Sequence, residues 1–168
     1  SKPAEIEAMM AFAAERFGMV DILVNNAGIQ HVSKIEDFPV ERWDAVIAIN
    51  LSSAFHATRL ALPAMKTAAG GNGWGRIINV ASVAGLLGAP FEAAYSGSKF
   101  AVVGFTESLA AEVAPLGIGV SLVNPGPVRT HFTEARGVPF QRKVPRPLDP
   151  GAVAAAVVRA VDRNRFEQ

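Results

Sequence analysis

An α/β fold, a parallel sheet with helices packed on both faces, is what the order of apolar patterns predicts. Three observations carry that expectation. Three short segments rich in β-branched and aliphatic residues alternate with long segments whose apolar residues recur at helical spacing. Each short segment is a nearly unbroken apolar run, the pattern of a strand buried on both faces. Each also runs into a polar or glycine-bearing turn, so the strand ends meet on one rim, where open parallel sheets bind ligands.

The first element is a helix over residues 3–17. Ile6, Met9, Met10, Ala13 and Phe17 form its stripe, and Gly18 stops it. Residues 20–24, with Val20, Ile22, Leu23 and Val24, make the first strand, closed by Asn25, Asn26, Ala27 and Gly28. Pro39 suits the first turn of a helix from about residue 40 to about 69. Pro63 lies inside it, where a missing N–H and a ring against the preceding turn predict a kink or break. The glycines from Gly70 to Gly75 form a loop, and residues 76–81 are the second strand. A third helix spans about 93–114, closed by Pro115 and Gly117. Residues 118–123 are the third strand, ended by Asn124, Pro125, Gly126 and Pro127. Residues 127–148, rich in Pro and Arg, read as a long surface loop, and a last helix runs from about 149 to 162.

The length, 168 residues, suits one domain. Half of the residues are hydrophobic and only 18% are charged, so a sizeable core is expected and disorder is excluded. Sixteen basic against fifteen acidic residues leave a net charge of +1, which gives no electrostatic reason to expect a nucleic acid partner. The absence of cysteine excludes disulfides, thiol catalysis and cysteine-based metal sites. No uninterrupted apolar run approaches the roughly 18 residues of a membrane span, and the opening residues do not read as a signal peptide. The expectation is a cytoplasmic protein with no membrane partner. His31, His56 and His131 show no metal-ligand spacing, so no metal is assigned. The glycine loop at 70–75 precedes a strand rather than opening a helix, which is not how a phosphate cradle is built.

The chemistry centres on Tyr95, the single tyrosine. Lys99 lies four residues on, so both side chains share one helical face, and Ser82 sits at the end of the preceding strand. A phenol with an ordinary pKa near 10 is a poor acid-base catalyst at neutral pH. At about 4 Å and an effective dielectric near 20, an ammonium attracts the phenolate by about 4 kcal/mol, about 3 pKa units before desolvation. That predicts a Tyr95 poised near neutrality, with Ser82 holding a substrate oxygen beside it.

Ser82, the Tyr95–Lys99 segment, Asn25 to Gly28, Asn50 and Pro125 to Thr130 together resemble the short-chain dehydrogenase/reductase family, over about residues 3–165. The resemblance implies a Rossmann-like doubly wound parallel sheet, a nicotinamide cofactor, and hydride transfer on a carbonyl or secondary alcohol of a small molecule. It implies Tyr95 as general acid-base, Lys99 as the residue that lowers its pKa and binds the nicotinamide ribose, and Ser82 as the group orienting the substrate oxygen. Asn50 falls where the family supports a water relay behind the lysine. Asn25, Ala27 and Gly28 match the turn against the adenosine half of the cofactor. Pro125, Gly126, Val128 and Thr130 match the segment that positions the nicotinamide, with Tyr95 and Lys99 also on the cofactor. Helices near 51–69 and 93–114 resemble those that pack between subunits, which implies a homo-oligomer.

The family's glycine-rich cofactor segment is absent before Asn25. Residues 1–168 are therefore expected to be the C-terminal portion of a single Rossmann-like catalytic domain, with an incomplete sheet of about three parallel strands. Its first strand is expected to be an exposed apolar edge, and cofactor binding by the chain alone to be weak or absent. The alternative is a non-catalytic fold fragment acting only through association. The stretch from Asn25 to His56 is similar to 3-hydroxybutyrate dehydrogenases, in which a glutamine at the position of Gln30 helps hold the substrate carboxylate, alongside Ser82 and Tyr95 as substrate contacts. That similarity favours NAD over NADP. Two other positions depart from the pattern: a histidine is replaced by Ala84 and a lysine by Glu92. A carboxylate at Glu92 repels a carboxylate substrate. Arg129, His131, Arg136, Arg142, Lys143 and Arg146 crowd the 127–148 loop and read as a solvated basic surface.

Overall fold

A computed structural model describes residues 2–132, 136 and 146–166 of the chain. Helix α1, Pro3–Phe17, opens on a proline whose missing N–H has no helical partner to lose. It ends where Gly18, at φ 93°, turns its N–H back to Ala14 O. Strand β1 is Ile22–Asn25, β2 is Gly75–Val80 and β3 is Ile118–Val123. Helix α2, Val40–Ile47, leads through a wide π turn at Ala48–Ser52 into α3, Ser53–Thr67. Helix α4 is Ala93–Val113, and α5 is Pro150–Arg163, capped by the Asp149 carboxylate on Gly151 N at 2.9 Å.

The sheet is parallel in the order β1-β2-β3, with Leu23 opposite Ile77 and Ile77 opposite Val120. Because side chains alternate along a strand, Ile77 and Ile78 enter opposite layers. Ile77 packs with Leu23, Val120, Ala57, Ala61, Met65 and Leu109, the stripes of α3 and α4, and α1 closes that layer with Ile6 and Met10. Ile78 packs with Val80 and Val123 against Val153, Val157 and Ala160 of α5. Helices on both faces of a parallel sheet make this the predicted Rossmann-like α/β fold, with three strands among the described residues. Helix α5 does not extend over β1, whose Ile22 and Val24 are nearly half exposed on the sheet edge.

One expectation needs correction. Pro63 does not break its helix: α3 is assigned without interruption to Thr67. Pro63 and Arg59, whose carbonyl loses its bond to the proline, both lie on the exposed face of the helix, where water can reach such a carbonyl, while buried Ala57, Ala61 and Met65 hold the helix on the sheet. The irregularity comes earlier, at the π turn around Asn50. The combined helix Val40–Thr67 is 28 residues long, with a window of mean hydropathy 1.3, long and apolar enough to cross a membrane by length and composition. Its Ala54, Ala57, Ala61 and Met65 are buried in the protein, and a third of the window is buried.

Candidate active site

The carboxyl ends of the three strands lie side by side. Ala81 N donates to Val123 O, and Val83 N donates to Pro125 O at 3.1 Å, which sets the Ser82 segment against the Pro125 segment. Ser82 leads into a single tight turn, Val83–Gly85, and its hydroxyl accepts from Ala84 N at 3.1 Å. That turn rests on the backbone of α4. A Cβ on Gly85 would lie 2.8 Å from Lys99 O and 3.1 Å from Val103 Cγ2, so only glycine lets the turn approach this closely. The approach brings the Ser82 hydroxyl near enough to the Tyr95 phenol to favour its ionised form. Lys99, 4% exposed, donates from Nζ to Val80 O at 2.9 Å and lies 5.9 Å from the centre of the Tyr95 ring. Serine, tyrosine and lysine thus occupy one cleft at the strand ends.

Asn50 completes the group from the opposite side. The π turn places one extra residue in the helix, and Asn50 is buried there. Its Oδ1 accepts from Ile29 N at 2.8 Å, while Nδ2 donates to Ile29 O at 3.0 Å and to Ser98 Oγ at 2.9 Å. Ser98 in turn donates to Tyr95 O at 2.7 Å. One amide therefore ties the segment after β1 to the helix that carries Tyr95 and Lys99. Gly28 lies in the resulting corner: a Cβ there would stand 3.6 Å from both Lys99 Nζ and Asn50 Oδ1.

Electrostatics overturn one expectation. Burial raises the Tyr95 phenol above its usual value. The Ser82 hydroxyl opposes the rise, the Glu92 carboxylate adds to it, and the Arg136 guanidinium opposes it. Lys99 does not bring the phenol to neutrality. Its Nζ is turned to Val80 O, and its own burial lowers it from 10.5 to about 8. The phenol is therefore held protonated at neutral pH.

The remaining predicted residues fall around this centre in different ways. Asn25 turns its side chain into the sheet, where Nδ2 donates to Asn79 Oδ1 at 2.8 Å and to Thr58 Oγ1 at 3.4 Å. Its amide nitrogen braces the strand end rather than facing the rim. Ala27 is exposed on the same turn, and Gln30 is half-buried next to the anchored Ile29. At Gly126 a Cβ would meet nothing within 4 Å. Val128 bridges to Leu148, and the Thr130 hydroxyl accepts from Phe132 N at 3.3 Å. Phe132 rests against the Tyr95 ring with centroids 5.8 Å apart.

The basic loop is not uniformly solvated. Arg129 pairs with Asp149 at the surface, but Arg136 is buried and pairs with Glu92 at 2.8 Å. Arg142 and Lys143 lie outside the described residues. Several contributors escaped the sequence reading. Ser98 and Gly85 have local signals, a serine inside the tyrosine-lysine segment and a glycine three residues after Ser82. Asn79 and Thr106 are fully buried and joined at 2.9 Å, and Asn79 was legible only as a polar residue inside an apolar strand. Nothing in the sequence joins Glu92 to Arg136.

A parallel α/β sheet with serine, tyrosine, lysine and asparagine gathered at its strand ends defines a dehydrogenase class. The sequence profile of the short chain dehydrogenases matches residues 1–138, and the chain belongs to that family. It is 52% identical over 143 residues to a D-beta-hydroxybutyrate dehydrogenase of Rhizobium meliloti, covering 85% of this chain and 54% of the relative. It is 58% identical over 134 residues to one of Cupriavidus necator, covering 80% and 50%. The fold matches a short-chain dehydrogenase structure from Streptomyces avermitilis with a TM-score of 0.84 at 31% identity, covering 99% of this chain and 66% of that one. The chain spans about half the length of the curated relatives it matches.

Proposed function

We propose that this chain carries the catalytic group of an NAD(P)-dependent oxidoreductase that interconverts a secondary alcohol and a carbonyl on a small hydroxy or keto compound. The observation that carries the reading is the Ser82 hydroxyl beside the buried Tyr95 phenol, with the Lys99 ammonium 5.9 Å from the ring centre. Tyr95, held protonated, donates its proton to the alkoxide oxygen as a carbonyl is reduced, and recovers it in the reverse direction. Ser82 donates to the same oxygen and holds it beside the phenol. Lys99 places its ammonium 5.9 Å from the ring centre.

The residues fit a nicotinamide dinucleotide at its ribose end. Lys99 has three donors, of which Val80 O takes one. Gly28 leaves its flank bare, and Gly126 faces open space. When bound, the cofactor supplies or accepts the hydride. NAD is favoured over NADP by the likeness to hydroxybutyrate dehydrogenases. On this reading residues 1–168 are the later portion of one catalytic domain. Association into a homo-oligomer is supported by the nearly half-exposed Phe55 on α3 and Phe100 on α4.

The test uses full-length protein with NAD and NADP and a panel of 3-hydroxybutyrate and related hydroxy and keto compounds. Tyr95→Phe is expected to reduce kcat at least about a hundredfold while dinucleotide affinity, read by calorimetry, stays within about twofold. Retained turnover in the variant would remove Tyr95 from its role.

A further inference from the structure

We propose that the Glu92–Arg136 ion pair is a specificity determinant that cancels the Arg136 charge beside Tyr95, so that the cleft prefers substrates without a carboxylate over short hydroxy acids. The inference rests on the oxidoreductase reading and narrows its substrate class. Glu92 stands immediately before α4, three residues from Tyr95, and reaches Arg136, forty-four residues on, at 2.8 Å. The two side chains are only 17% and 10% exposed, so neither charge is dispersed by water as the Arg129–Asp149 pair at the surface is. Both act on the Tyr95 phenol and in opposite directions, which places each within electrostatic reach of the reacting oxygen. A guanidinium bound to a carboxylate presents little net charge to a third group. An approaching carboxylate meets Glu92 as well as Arg136, and like-charge juxtaposition penalises it. The segment between Ser82 and Tyr95 adds no cation. It exposes Val83, Leu86, Leu87 and Phe91, apolar groups suited to an uncharged substrate body.

The experiment compares 3-hydroxybutyrate with 1,3-butanediol, which carry the same secondary alcohol and differ in a carboxylate against a hydroxymethyl group. kcat and KM are measured for full-length wild type, Glu92→Gln and Glu92→Asp. Wild type is expected to favour the diol. Glu92→Gln is expected to raise the acid-to-diol ratio of kcat/KM at least about tenfold, the scale of one unpaired charge near a bound anion. The change should fall on KM for the acid, and Glu92→Asp should restore the wild-type ratio. A wild type that prefers the acid, or a ratio in Glu92→Gln within about twofold of wild type, would overturn the inference and leave the oxidoreductase reading standing. No turnover of either compound by wild type would remove both.

Discussion

Gly85→Ala tests how closely the Ser82 turn must sit on α4. The new Cβ would lie 2.8 Å from Lys99 O and 3.0 Å from Lys99 C, both backbone atoms of α4, where Ser98, Lys99 and Val102 are buried. To reach the 3.4 Å at which ordinary contact begins, the turn must retreat by about 0.6 Å. Overpacking of this kind costs about 1–3 kcal/mol, and the retreat carries the Ser82 hydroxyl away from the Tyr95 phenol. A misplacement of about 1 Å can cost about a hundredfold in rate, so about tenfold is expected here. The assay pairs guanidinium denaturation with steady-state kinetics, with Gly104→Ala as the control. Gly104 is exposed in the same helix and a Cβ there meets nothing within 4 Å, so alanine should stabilise by about 0.5–1 kcal/mol. If Gly85→Ala matches wild type in both stability and kcat, the turn does not set the serine.

The remaining predictions concern Lys99 and Asn50. The Lys99 ammonium has a folded pKa of about 8 against an ordinary 10.5, so its burial opposes folding in full below pH 8. Between about 8 and 10.5 the folded state has released a proton that the unfolded chain still holds, so stability rises with pH, by up to about 3 kcal/mol. The raised Tyr95 phenol works the other way above its ordinary 10.0, where the unfolded chain ionises first. Denaturation midpoints from pH 7 to 10 should climb for wild type and stay flat for Lys99→Met. Asn50→Ala removes both hydrogen bonds to Ile29 and one to Ser98. It should cost about 1–3 kcal/mol, and amide hydrogen exchange at Ile29 should quicken selectively. Unchanged protection at Ile29 would mean that the corner at Gly28 is held by something other than Asn50.

Much of this fold was legible because its signals are local. Helix α1 was predicted at its observed limits and β3 likewise, since an amphipathic stripe and an unbroken apolar run each state a period within their own few residues. Strand β1 was displaced toward Asn25, because Val20 and Asp21 lead into the strand and pairing with β2 begins at Ile22. Pro63 misled because its penalty depends on whether water reaches one carbonyl, which only burial decides. The spacing of Ser82, Tyr95 and Lys99 identified the group that meets in the cleft.

The sequence alone determined which residue types reach the strand ends and in what order, since periodicity and turn chemistry act over a few residues. Tertiary structure decided how those residues feel one another. Burial raised the phenol and lowered the ammonium, reversing the estimate drawn from a bare tyrosine-lysine pair. Packing made Gly85 obligatory, and chain folding carried Arg136 to Glu92. Desolvation and long-range charge pairing depend on neighbours far apart in the chain, and a one-dimensional pattern contains no distance between them.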